Sequence, residues 1–211
     1  MKRMEACGVV AILRLRDPSP IPDIAEAILN GGITVIEVTL NTPNALQAVS
    51  GLRRRFGDSL LVGAGTVTGP DQAEVAVRAG AQFLISPVFK LDIIRAAHAL
   101  NRPAIPGCTT PTEMLHAHET GADAIKLFPA ECFGPAYLKS VLAPLNHLRI
   151  MPTGGINASN AADWLRAGAF CLGAGGGLVD PTAVSESRLD VLTHKARLLK
   201  DTVDRAKKNP D

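Results

Sequence analysis

A lysine stands in the middle of an apolar run, D-A-I-K-L-F-P-A-E at 123–131, and a glutamate stands inside another, V-I-E-V-T-L at 35–40. Burying an unpaired ammonium or carboxylate costs several kcal/mol, roughly, unless the group is neutralised or paired. Strand alternation puts Val35, Glu37 and Thr39 on one face, and likewise Ala124, Lys126 and Phe128. An amine taken out of water is more often neutral at pH 7, and a neutral amine adds to a ketone to give a Schiff base. The iminium draws electrons from its neighbours, and a nearby carboxylate can then move protons. Lys126 and Glu37 therefore point to that chemistry or to a buried structural ion pair.

Strands must carry these side chains. Apolar runs at 8–13, 33–40, 59–64, 82–86, 103–106, 123–128, 148–152 and 169–174 read as strands, the fifth weakened because it opens on Pro103. Their near-continuous hydrophobicity suits parallel strands covered on both faces. Four phrases share one pattern: N-G-G-I-T-V-I-E, R-A-G-A-Q-F-L-I-S, E-T-G-A-D-A-I-K and R-A-G-A-F-C-L-G. In each, a helix stops at a glycine and a strand begins at once. Eight βα units predict an α/β fold, a (β/α)8 TIM barrel, with 1–211 as a single domain. A doubly wound open sheet is the alternative, but A-I-L-R-L-R-D-P-S-P after the first strand lacks the glycines of a dinucleotide turn. The tail D-R-A-K-K-N-P-D reads as a frayed helix end.

Such a barrel gathers its chemistry where the strands end. Thr66 falls just past the third strand, Thr153, Gly154 and Gly155 past the seventh, and G-A-G-G-G at 173–177 past the eighth. Clustered glycines let backbone N–H groups approach an anion closely, which suits a phosphate; a set of tight turns is the bland alternative. Amine, carboxylate and phosphate cradle together ask for a ketone with a phosphate tail.

Composition excludes other classes. The chain has 211 residues, 20% of them charged, with a net charge of +2, so no nucleic-acid surface is expected. Arg53, Arg54 and Arg55 read as the exposed end of a helix. No run approaches the roughly 20 apolar residues of a membrane span, and the N-terminal run is too short for a signal peptide. Four scattered cysteines without C-x-x-C spacing suggest reduced thiols and a cytoplasmic protein. His116 and His118 diverge on a helix, and His98, His147 and His194 read as surface residues, so no metal or other cofactor is expected. Cys132 and Trp164 read as packing residues.

The segments V-I-E-V-T-L, V-G-A-G-T-V, G-A-Q-F-L-I-S-P, I-P-G-C-T-T-P-T-E, I-K-L-F-P-A-E and M-P-T-G-G-I closely resemble the 2-keto-3-deoxy-6-phosphogluconate (KDPG) and 4-hydroxy-2-oxoglutarate (KHG) aldolases, in unbroken order from about 10 to 179. The resemblance implies a metal-free class I aldolase, a homotrimer, with Lys126 forming the Schiff base with pyruvate and Glu37 as general acid/base through a water. It implies that Arg14, Thr66, Pro87, Phe128 and Thr153 bind substrate, and that Gly154, Gly155, Gly175, Gly176 and Gly177 hold its phosphate. The implied reaction is reversible cleavage of KDPG to pyruvate and glyceraldehyde 3-phosphate, closing an Entner–Doudoroff route.

Two departures stand out. Relatives often carry Arg in E-V-T-L-R-T, where this chain has Asn41. An amide cannot give a guanidinium's charged bidentate contact, so carboxylate binding falls to Arg14, Thr66 or backbone amides. The galactonate branch carries a similar L-N-S-P, which keeps the phosphogalactonate acid and hydroxy-oxoglutarate open as substrates. Gly176 replaces a common phosphate-contacting Ser. These losses also admit a phosphate-binding barrel that no longer cleaves carbon–carbon bonds.

Overall fold

A computed structural model describes residues 1–209. Its strands are β1 (Val9–Leu13), β2 (Val35–Thr39), β3 (Leu61–Gly65), β4 (Leu84–Ile85), β5 (Ala104–Ile105), β6 (Gly107–Cys108), β7 (Ile125–Leu127), β8 (Ile150–Pro152) and β9 (Leu172–Ala174). The helices are α1 (Lys2–Cys7), α2 (Ile21–Asn30), α3 (Ala45–Phe56), α4 (Pro70–Arg78), α5 (Leu91–Ala99), α6 (Pro111–Glu119), α7 (Gly134–Leu142), α8 (Ala161–Arg166), α9 (Pro181–Ser185) and α10 (Leu189–Lys208). All strand pairs are parallel. One sheet runs β5-β4-β3-β2-β1-β9 and the other β6-β7-β8. The result is an α/β fold whose parallel sheet curls. Its two parts meet where the Phe170 N–H bonds the Ile150 carbonyl and Thr153 bridges to Gly173.

The fifth apolar run is a strand only at Ala104 and Ile105, which pair with β4; beyond its last residue, Pro106, the separate strand Gly107–Cys108 pairs with β7. Proline has no N–H to give a ladder; its carbonyl is nevertheless used, accepting from Lys126 N–H at 2.8 Å. Gly107 comes so close to the preceding loop that a Cβ there would lie 2.3 Å from the Pro87 carbonyl oxygen.

The repeated helix-to-strand phrase is realised in the backbone. Gly32, Gly80, Gly121 and Gly168 all take φ between 93° and 106°, the left-handed turn that lets each helix stop and a buried strand start at once. Thr110 opens α6 with a capping box closed by Glu113. The tail read as a frayed helix end is helical as far as Lys208. Val203 and Ala206 are buried, and Lys200 pairs with Asp204, so α10 holds together to Lys208; residues 210 and 211 lie outside the described part. The N-terminal helix α1 was not foreseen; it buries Met4 and Cys7 ahead of β1.

Candidate active site

The two unusual side chains stand at the middle of β2 and of β7. Glu37 pairs in register with Ile12 and Gly63, and Lys126 with Gly107 and Met151. Glu37 has no exposed surface, and neither carboxylate oxygen has a hydrogen-bond partner. Its pocket exists because β3 is glycine-rich there: a Cβ on Gly65 would stand 1.6 Å from Glu37 Oε1. Burial pushes the acid above the usual carboxylate range, opposed by the positive charges of Lys126 and Arg14. Buried groups left unpaired are uncommon and want an explanation, and a reaction site supplies one.

Lys126 is 3% exposed, and its Nζ sits 5.0 Å from the centroid of the Phe128 ring. Among the described residues neither Lys126 nor Arg14 belongs to an ion pair. The structural ion pair admitted by the sequence is therefore absent. The positive charge of Lys126 still acts on Glu37, although the two form no ion pair.

Past the strand ends opens a cavity of about 530 Å³ that Lys126 and Glu37 do not themselves line; Phe128, beside the Lys126 amine, does. Its walls include Arg14, Phe128, Thr153 and the five glycines 154, 155, 175, 176 and 177. Gly154 and Gly155 take φ of 108° and 68°, a turn that side chains rarely adopt. Thr153 is buried, and its Oγ1 is the third buried polar atom without a partner. Gly173 makes room for it, since a Cβ there would lie 2.3 Å from Oγ1. Gly176 faces open space, with nothing within 4 Å of a built Cβ.

Two residues expected at the site do not line this cavity. Pro87 lines a neighbouring cavity of about 310 Å³ with Cys108 and Glu113, joined to the first only through Phe128. Thr66 lines neither cavity, yet it holds φ of 58°, a costly conformation for a β-branched residue, of the sort that clusters at functional sites. Asn41 is exposed and lines no part of either cavity.

Some contributors were missed. Glu131 lines the larger cavity and lies against the glycine turn, its Cβ 2.9 Å from where a Gly155 Cβ would be. Gly65 is the slot for Glu37. The only signal for either was its place in G-A-G-T and F-P-A-E. Among the described residues no group of three His, Cys, Asp or Glu could hold a metal, and no helix is long and apolar enough to cross a membrane. His98 instead bonds Asp123 at 3.0 Å, and His118 packs edge-on against His147. Cys132, read as a packed thiol, is exposed, and Trp164 is buried as expected.

The curled parallel sheet is an architecture shared with solved aldolases. A KDPG aldolase from Legionella pneumophila, with pyruvate captured as a covalent carbinolamine intermediate, superposes with a TM-score of 0.87 at 32% identity, over 93% of this chain and 96% of that one. The family of KDPG and KHG aldolases matches residues 1–194, and the chain belongs to that family. A 2-dehydro-3-deoxy-phosphogluconate aldolase of Treponema pallidum is 40% identical over 78% of this chain and 77% of its own. A 2-dehydro-3-deoxy-6-phosphogalactonate aldolase of Escherichia coli K12 is 36% identical over 79% and 81%.

Proposed function

We propose that this protein is a class I aldolase that reversibly cleaves KDPG to pyruvate and glyceraldehyde 3-phosphate. The observation that carries the reading is the buried Nζ of Lys126, in no ion pair, within charge range of an unpartnered Glu37 and 5.0 Å from the ring of Phe128, which lines the glycine-walled cavity. Lys126 Nζ adds to the C2 ketone, and the carbinolamine loses water to give an iminium. Glu37, through a water, takes the proton of the C4 hydroxyl. The C3–C4 bond breaks, its electrons pass into the iminium as an enamine, and the aldehyde leaves. Protonation of the enamine at C3 gives the pyruvate iminium, and water returns pyruvate and free Lys126. No cofactor enters these steps.

Phe128, Thr153, Thr66 and Pro87 shape the pyruvyl pocket in this reading, Arg14 supplies positive charge, and Gly154, Gly155, Gly175, Gly176 and Gly177 receive the phosphate through backbone N–H groups. The two sheet parts form one eight-stranded (β/α)8 barrel and one domain, with β5 and β6 counting as a single stave. The active protein is a cytoplasmic homotrimer, a state that light scattering tests.

Incubation with pyruvate and borohydride, followed by peptide mass mapping, tests the assignment. Reductive label on the Lys126 peptide is expected; label elsewhere, or none, refutes it. Asn41 in L-N-T-P favours a second reading in which the galactonate epimer is the substrate, as the phosphogalactonate enzyme is among the relatives. Ratios of kcat/KM for KDPG, its galactonate epimer and hydroxy-oxoglutarate decide between them.

A further inference from the structure

Arg14 stands at the boundary of two cavities, the glycine-walled one and an adjoining one of about 740 Å³ that also holds Arg16 and Ser19. It is exposed, at the end of β1, with no partner of its own to hold it. The backbone on both sides of it is nevertheless tied down. Thr39 Oγ1 donates to the Leu13 carbonyl at 3.2 Å, and the Leu15 N–H donates to Thr42 Oγ1 at 3.2 Å. The two hydroxyls lie 3.2 Å apart. Each hydroxyl has one proton, so the arrangement resolves in one direction: Leu15 N–H to Thr42, Thr42 O–H to Thr39, and Thr39 O–H to Leu13. Both threonines are buried, at 0% and 3% exposure, where a hydrogen-bonded chain is shielded from competing water.

We propose that Thr39 and Thr42 are positioning residues whose coupled hydroxyls clasp the backbone around Arg14 and, through Arg14, set the affinity of the cavity for an anionic ligand. The clasp joins the loop after β2, where Asn41 stands, to the loop after β1, where the guanidinium stands. An exposed arginine on an untethered loop loses side-chain and backbone entropy when it captures an anion. Two buried hydroxyls fix the backbone part of that cost in advance. For its substrate the inference rests on the aldolase reading; for the binding of a simple anion it does not.

The test has two arms, because the anion can be the carboxylate or the phosphate of the ligand. The first is the pyruvate concentration giving half-maximal borohydride trapping on Lys126. The second is the dissociation constant of inorganic phosphate by calorimetry, which needs no turnover. Thr42→Val should weaken at least one arm by about five- to tenfold, the worth of about one hydrogen bond, while Thr42→Ser stays within about twofold of the parent. Arg14→Ala should weaken the same arm, and adding Thr42→Val to it should change nothing more. Should Thr42→Val not fold, Thr39→Val breaks the same chain at its other end. The inference is overturned if the valine variant leaves both arms unchanged, if its effect persists without Arg14, or if the parent binds in neither arm. Failure of trapping on the parent with phosphate binding intact sinks only the aldolase reading, and the phosphate arm then decides the clasp.

Discussion

The carboxylate of Glu37 occupies the volume that a side chain at Gly65 would need, with Oε1 1.6 Å from the position of a Cβ. The acid on β2 and the missing side chain on β3 are thus one feature. In a close-packed interior such a conflict is not absorbed by small shifts. Gly65→Ala should therefore turn Glu37 away and lower kcat by about two orders of magnitude or more, in line with loss of a general acid/base. Pyruvate trapping on Lys126 should survive. A variant with near-parental kcat would show that the carboxylate does not need this slot.

The raised pKa of Glu37 makes stability depend on pH. Its folded pKa lies above the unfolded value of about 4.3, so the folded state binds more protons in between. The associated stability is fully present below about pH 4.3 and is lost as pH rises through the folded value. Glu37→Gln removes that burden of a buried carboxylate. Its Tm relative to the parent should climb over this window and then level off, although the variant cleaves little substrate. A Tm difference that stays flat with pH would contradict the assignment.

Lys126→Met should abolish trapping and lower kcat by about a thousandfold or more without unfolding the protein. Replacing a buried lysine that has no ion pair with an apolar chain of similar length is often neutral or stabilising. Thermal melting checks this, and a Tm drop of more than a few degrees would mean that the ammonium holds the fold together.

Gly176 has open space where a Cβ would go and no left-handed φ. Gly176→Ser should fit without strain and add a hydroxyl to the phosphate cradle. The expected gain is a several-fold lower KM for phosphorylated substrate, about one hydrogen bond's worth, and no change for unphosphorylated hydroxy-oxoglutarate. Steady-state kinetics on both substrates measure it; equal changes would place residue 176 away from the phosphate.

Much of the architecture was legible in advance because it is written locally. Glycines at 32, 80, 121 and 168 end helices by a rule of backbone sterics, and the apolar runs behind them can only be buried strands. Alternation along β2 and β7 placed Glu37 and Lys126 inward, since the period of a strand is a short-range property. The errors came where a distant strand or surface intervened. Past Pro106 an unforeseen strand, Gly107–Cys108, pairs with β7, and the apolar face of α10 kept the tail helical to Lys208.

What the chain by itself determined was which apolar runs form strands and that Lys126 and Glu37 are carried inside them. Only the tertiary structure decided that Lys126 and Glu37 do not pair, that Gly65 holds open the place of the acid, and that two threonine hydroxyls bracket Arg14. The division has a physical cause. Periodicity and turn chemistry act within a few residues, whereas whether two charges touch depends on the shear of strands far apart in sequence, and fractions of an ångström there separate an ion pair from a free nucleophile.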